Sequence, residues 1–354
     1  MKKQHTSQSI EVPLTTPLFR GLKHLRIALV GMPGSGKSTL FNAVSATSIH
    51  TGELAGTHRK YGECPVQIGF DEARLVDLPS IQSLNNLPHG DHVALQYLLW
   101  GDQLPLVSAH EQGAPPAPFA PPDVIVQVVD ATALERHLEL TIELSQIGKP
   151  MVLALNMMDE ARKKGMHINS ITLSKQLGIP VVPTVALMGH GISELFTAAA
   201  NAVREGEYPH PQRPSKHIIK ALQPLRKALH EPELQKAFRV PYSFLLMQVA
   251  ANDSYFMDEL AQHFPERLPE LLAIRASAEE TLPRPLQEEL HADRHHRAAT
   301  LFETATRLGP PQEGRGWRYW LDELFLHPQW GLLGSLVVFA LVLFVVFEGS
   351  TYLD

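Results

Sequence analysis

An α/β fold with a mostly parallel sheet, continued by an all-helical region and closed by one membrane-spanning helix, is what this 354-residue sequence predicts. Three observations carry that reading. Between Leu25 and Val203, short near-continuous apolar runs of strand length alternate with helical segments, the pattern of a sheet covered on both faces. After about Pro209 the strand signals stop, and prolines punctuate a series of helical stretches. Finally, residues 330–347 read WGLLGSLVVFALVLFVVF, uncharged and with Ser335 as the polar interruption.

Taken in order, residues 1–23 form a polar arm without the apolar stretch of a signal peptide. Leu25–Gly31 is a buried strand and 38–46 a helix; 66–70 and 73–77 are two short strands close enough to pair. Residues 101–122 are a Pro/Ala-rich insertion expected to be an exposed loop. A strand at 123–130 leads into a helix at 134–147, Met151–Asn156 into a helix near 173–177, and a last strand at 181–186 into a helix at 192–203. These segments define an α/β domain over 24–208. A helical domain follows over 209–327, with helices at 216–229, 231–238, 242–264, 268–280, 285–291 and 294–307 and a short amphipathic one at 317–325. The span is placed at 328–348, leaving a tail at 349–354. The eighteen uncharged residues 330–347 at about 1.5 Å each reach roughly 27 Å, near a bilayer's hydrocarbon thickness. Arg315 and Arg318 before it, with Glu348 and Asp354 after it, predict a single-pass protein of the cytoplasmic membrane whose N-terminal part faces the cytoplasm.

Composition narrows the function classes. A net charge of −6, a pI near 6.3 and no Lys/Arg-rich run argue against a nucleic-acid-binding body. The single cysteine, Cys64, cannot form an intrachain disulfide and reads as a small apolar residue. Among the eighteen histidines, His291 and His295 have metal-compatible i, i+4 spacing beside His296; without a carboxylate–histidine constellation they read as a solvated helix face.

The chemistry begins at Gly31-Met32-Pro33-Gly34-Ser35-Gly36-Lys37-Ser38, followed by Thr39, which fits G-x-x-x-x-G-K-[ST] between a predicted strand and a predicted helix. Glycines turn backbone N–H groups toward phosphates, and the helix N-terminus favours negative charge. Lys37 is expected to reach the β- and γ-phosphates, and Ser38 to place its hydroxyl on Mg2+. Asn156-Met157-Met158-Asp159 ends a later strand. Its carboxylate can accept hydrogen bonds from guanine N1–H and the exocyclic amine, a donor pair adenine lacks, so GTP or GDP is the expected nucleotide. Val185 and Ala186, at the end of the last strand, are also expected among the nucleotide-binding residues. Asp77-Leu78-Pro79-Ser80 occupies the place of a D-x-x-G segment: Asp77 is expected in the Mg2+ shell and the Ser80 N–H at the γ-phosphate. Serine in place of glycine costs free energy if that position needs positive φ. Gly56-Thr57 supplies the candidate first-switch threonine, a third Mg2+ contact. Lys37, Thr57 and Ser80 are the residues expected to carry hydrolysis. Ile81 follows Ser80, with Gln82 one residue later, so slow intrinsic hydrolysis is expected.

Together these residues resemble the FeoB family of ferrous iron transport GTPases. The resemblance runs from about Leu25 to Phe347, through GMPGSGKSTLFNAVS at 31–45, AGTHRKYGE at 55–63 and DLPSIQSL at 77–84. It continues in DVIVQVVDATALERHLELTIEL at 123–144, KPMVLALNMMDEARKKGMHIN at 149–169, LGIPVVPTVALMGHGISEL at 177–195 and LFLHPQWGLLGSLVVFALVLF at 324–344. The resemblance implies a Ras-like P-loop G domain, a helical spacer linking it to the membrane, and GTP-dependent gating of Fe2+ passage. The family usually has Asn at the position of Gly34, where it helps hold an activating K+, and Gly at that of Ser80. Members continue into a polytopic permease, so a partner permease chain or self-association is expected alongside the lipid bilayer. Two alternatives stand beside the transporter reading: a membrane-tethered regulatory GTPase without transport activity, and an RNA-binding assembly GTPase, which the acidic balance disfavours.

Overall fold

The computed structural model describes residues 25–45, 50–53, 60–69, 71–85, 92–101, 121–310, 338–340 and 342–344. Its α/β region runs β1 (Leu25–Gly31), α1 (Lys37–Val44), β2 (His50–Glu53), β3 (Lys60–Ile68), β4 (Asp71–Asp77), α2 (Val93–Trp100), β5 (Val124–Asp130) and α3 (Leu134–Leu144). It continues with β6 (Met151–Asn156), α4 (Met158–Lys163), β7 (Met166–Ile168), α5 (Ser170–Leu177), β8 (Val181–Pro183) and α6 (Ile192–Glu205). Seven strands form one sheet in the order β2-β3-β4-β1-β5-β6-β8. From β4 to β8 the pairs are parallel, while β2, β3 and β4 pair antiparallel, so the sheet is mixed.

Alternation along β1 sorts its side chains between two cores, as the period of a strand requires. Ile27 and Leu29 join Leu40 and Phe41 of α1 and Leu195, Phe196 and Ala199 of α6 on one face. Ala28 and Val30 face the other way, with Leu134, Leu138 and Ile142 of α3 and the apolar residues of α2. This second core runs without a break into the helical region, where Leu222, Phe244, Phe256, Leu290 and Leu301 belong to the same cluster.

The helical region comprises α7 (Lys216–Ala221), α8 (Gln223–Ala228), α9 (Pro232–Phe238), α10 (Tyr242–Ala250), α11 (Ser254–His263), α12 (Leu268–Glu280) and α13 (Leu286–Ala305). Several details differ from the sequence expectation. The helix expected over 216–229 breaks at Leu222, where Pro224 enters the first turn of α8. That expected over 242–264 breaks at Asn252, whose φ is 55°, and Asp253 restarts it by accepting a hydrogen bond from Phe256 N–H at 3.2 Å. Conversely, the break expected between 291 and 294 is absent, because Asp293 stays helical while its carboxylate binds Arg297 and Ser215. Strands also do not end at Pro209: β9 (Thr306–Leu308) pairs antiparallel with β7, bringing the far end of the helical region back to the α/β region. The strand expected at 181–186 stops at Pro183, since Val185 pairs back on His190 in a turn.

The arm at 1–23, Gly56 and Thr57, most of the 101–122 insertion, the helix at 317–325 and the tail at 349–354 lie outside the described residues. So does the expected span at 328–348, apart from helical residues 338–340 and 342–344. Among the described residues no helix is long and apolar enough to cross a membrane.

Candidate functional site

β1 ends at Gly31 and α1 begins at Lys37, so residues 32–36 must reverse the chain at the carboxyl end of the sheet. Gly36 does this with φ 83°, and a Cβ there would stand 2.3 Å from Asn156 Nδ2, so conformation and space both demand glycine. Gly34 has φ 82° but open space around it, so the left-handed backbone is its sole constraint, one that Asn also tolerates. Ser35 is buried and its Oγ has no hydrogen-bond partner among the described residues. Helix α1 starts without a side-chain cap and without an acidic residue in its first turn, leaving its N–H groups for an anion. Pro33, Gly34, Ser38 and Thr39 are exposed around this cradle, and Met32 is buried beneath it.

Leu29 lies in register with Asp77, which places the end of β4 beside the loop. Lys37, 5% exposed, is ion-paired with the Asp77 carboxylate. The phosphate-seeking lysine and the metal-shell carboxylate expected from the sequence are thus bound to each other here. An arriving polyphosphate must compete with that pair for the ammonium. Mg2+ suits the donor chemistry, because the Ser38 hydroxyl and the Asp77 carboxylate are hard oxygen donors on adjoining segments. The ion would neutralise charge on phosphate oxygens.

Beyond Asp77 the chain is tied to β1: Leu78 N–H donates to Leu29 O at 3.2 Å and Ile81 N–H to Gly31 O at 3.1 Å. Pro79 is half-buried and Ser80 exposed. Met157, Arg239 and Asn252 are the non-glycine residues with positive φ among those described, so Ser80 avoids the penalty foreseen for replacing glycine. Gln82 lines a cavity of about 840 Å3 between α3 and α13, together with Met32, Arg136 and His291.

Asn156 sits at the end of β6, 2% exposed. Its Nδ2 donates to Ser35 O at 3.0 Å, and its Oδ1 accepts from Ala186 N–H at 2.9 Å and from the Thr184 hydroxyl at 3.4 Å. Asn156, expected among the nucleotide-binding residues, here clamps the phosphate loop to the 184–186 turn. Thr184 was not foreseen; it directly precedes Val185, and no motif marks it. Met157 turns the chain with φ 59°, Met158 is buried, and Asp159 stands half-exposed in the first turn of α4. Among the described residues the Asp159 carboxylate has no hydrogen-bond partner, and the cap position belongs to Met157.

Elsewhere, burial, with Glu63 and Asp77 nearby, pushes the Cys64 thiol up to about 11, so it stays protonated. His295 hydrogen-bonds Glu139 of α3 at 2.8 Å, and His291 bonds Arg294 at 3.2 Å. The solvated face expected for these histidines thus has partners. Among the described residues no cluster of three or more His, Cys, Asp or Glu could hold a metal.

A mixed sheet with a phosphate loop after β1 and loops converging at 77–81, 156–159 and 184–186 defines a P-loop G domain. Residues 25–111 and 118–199 match the family model described as ferrous iron transport protein B, so this N-terminal part is similar to that family. A fusion of Fe(2+) transport protein A with the Fe(2+) transporter FeoB, from Porphyromonas gingivalis, is 32% identical over 228 residues, covering 64% of this chain and 25% of that protein. The Fe(2+) transporter FeoB of Escherichia coli is 35% identical over 181 residues, covering 50% and 21%. The chain thus spans a quarter or less of the length of these relatives. Among solved structures, a GDP-bound mutant of the S. thermophilus FeoB G domain superposes with a TM-score of 0.65 at 27% identity, covering 80% of this chain and 100% of that one. The cytosolic domain of L. pneumophila FeoB, at 24% identity and a TM-score of 0.63, covers 80% of this chain and 99% of that one and shares the fold.

Proposed function

We propose that this chain is the GTP-binding component of a ferrous iron uptake system, hydrolysing GTP slowly and rearranging with nucleotide state to gate Fe2+ passage across the cytoplasmic membrane. Fe2+ is the transported substrate of this reading, which is supported by the family-model match over 25–111 and 118–199 and by relatives named as Fe(2+) transporters. The α/β part over 24–208 is the G domain, 209–327 the spacer, and 328–348 the segment that meets the bilayer, working with permease spans such as those that follow in the family.

The observation that carries the nucleotide reading is the Asn156 clamp. One buried amide holds the phosphate loop and the 184–186 turn, and Asp159, three residues on, has no hydrogen-bond partner among the described residues. A carboxylate so placed is suited to the two donors of a guanine edge. Lys37 and the α1 N-terminus bind the phosphates, Ser38 and Asp77 hold Mg2+ with Thr57, and Val185 and Ala186 border the base. Slow hydrolysis follows from apolar Ile81, 2% exposed, standing directly after Ser80.

Calorimetry with Mg2+ present tests this. GTP is expected to bind and ATP not, and Asp159→Ala is expected to lower GTP affinity by about 10- to 100-fold with an unchanged melting temperature. Equal affinity for GTP and ATP would refute the reading.

A further inference from the structure

Outside the nucleotide site, several polar groups converge in the seam between α3 and α13. Glu143, near the end of α3, has a side chain only 5% exposed. Its carboxylate accepts hydrogen bonds from Leu84 N–H at 2.5 Å, the Ser83 hydroxyl at 2.8 Å and the Asn85 amide at 3.3 Å. Arg294 of α13 completes the set at 2.5 Å. A carboxylate offers about four acceptor positions, and here four donors come from two separate parts of the molecule. Three belong to the stretch after Ser80, and the fourth belongs to the helical region. Burial pushes the Glu143 carboxyl up, against the pull of Arg294, Leu84 and Ser83. So many converging donors leave little for an acid proton to bond to, which favours the ionised form.

A second bond reinforces the seam. Trp100, at the end of α2, is 1% exposed and donates from Nε1 to Phe238 O of α9 at 2.8 Å. Residues 83–85 are therefore linked to the helical region through Glu143 and Arg294, and Trp100 directly through Phe238 O.

We propose that Glu143 is a positioning residue for the stretch that faces the γ-phosphate, and that Arg294 makes its grip depend on how the helical region is seated. This rests on the GTP-binding reading above. GDP has no γ-phosphate, so a group acting through Ser80 and its neighbours alters affinity for the triphosphate and leaves the diphosphate alone. A ligand shifts a conformational equilibrium only through such differential affinity, and the coupling is reciprocal. The helical region, through Arg294, would thereby distinguish the two nucleotide states.

The test uses the full chain in detergent with Mg2+, titrated with GDP and with a non-hydrolysable GTP analogue. Glu143→Gln and Arg294→Met are each expected to weaken the analogue by about fivefold or more, with GDP held within about twofold. Arg294→Lys is expected to recover part of the loss. A purely structural role would instead lower both affinities in parallel with the melting temperature, and that outcome overturns the proposal. So does an unchanged affinity ratio in both variants. If Glu143→Gln does not fold, Arg294→Met carries the test, since its side chain lies at the cavity edge. Wild-type protein that binds neither nucleotide refutes the GTP reading and this proposal together; wild-type binding with an unchanged ratio in the variants refutes this proposal alone.

Discussion

Asn156 and Glu143 are both buried polar residues that gather bonds from several segments, yet they serve different ends. Asn156 is neutral, and everything it holds, the phosphate loop and the 184–186 turn, lies at the carboxyl edge of one sheet. Glu143 is an acidic residue ion-paired with Arg294, and it holds the chain after β4 while itself being held by α13. The first clamp makes a site rigid within one region. The second shares a segment between two regions, so its strength depends on how they sit together. A neutral amide suits the first role, because an unmatched charge there would be costly to bury. A charge suits the second, because removing either partner leaves the other uncompensated.

This contrast can be broken by substitution. Trp100→Ala, which removes a fully buried indole and its bond to Phe238 O, is expected to cost about 3–5 kcal/mol in chemical denaturation. A loss below about 1 kcal/mol would show that α2 is not anchored to the helical region. Asn156→Ala should cost about 1–3 kcal/mol for each buried partner left unsatisfied, and it should weaken GDP and GTP alike. That parallel loss is the opposite of the pattern expected at Glu143, and a GTP-selective loss would erase the distinction between the clamps. Ser80→Gly is expected to change stability by no more than about 1 kcal/mol, because Ser80 is not held at positive φ.

The smallest expected effect is a pH dependence at the seam. The hydrogen bond and charge of Glu139, with Glu135 nearby, raise the His295 pKa. A raised folded value means that the contribution is fully present below the ordinary imidazole range and fades as pH rises through the raised one. Denaturation midpoints of wild type and His295→Gln should therefore differ slightly at about pH 5.5 and converge by about pH 8. Divergence that grows with pH would contradict the sign.

Much of the α/β region was legible because its strands are apolar runs bounded by turn residues; Leu25–Gly31 and Met151–Asn156 fall where the pattern predicts. Helix α2 was not, since all eight of its residues are buried and no polar face marks the helical period. Strand β9 is three residues long, too short for alternation to register. The convergence of 31–38, 77–81, 156–159 and 184–186 at one sheet edge follows from motif order, because each motif ends a strand of a parallel sheet. The Asn156 bonds and the Lys37–Asp77 pair could not be read that way, since motif spacing says nothing of which neighbour a side chain chooses. Glu143 carried no signal at all: in sequence it is one more acidic residue on a helix, 59 residues from the Leu84 amide it binds.

The short ribbon of β7 and β9 has a mechanical consequence. Thr306 to Leu308 lie against Ile168 to Met166, and Gly309 N–H donates to Gly165 O at 2.8 Å. Tension applied to the chain beyond Pro310 therefore loads this ribbon first, ahead of the long helix α13. Because β7 is joined through Gly165 to the helix bearing Asp159, force applied beyond Pro310 would be felt at α4 and Asp159 before the phosphate loop.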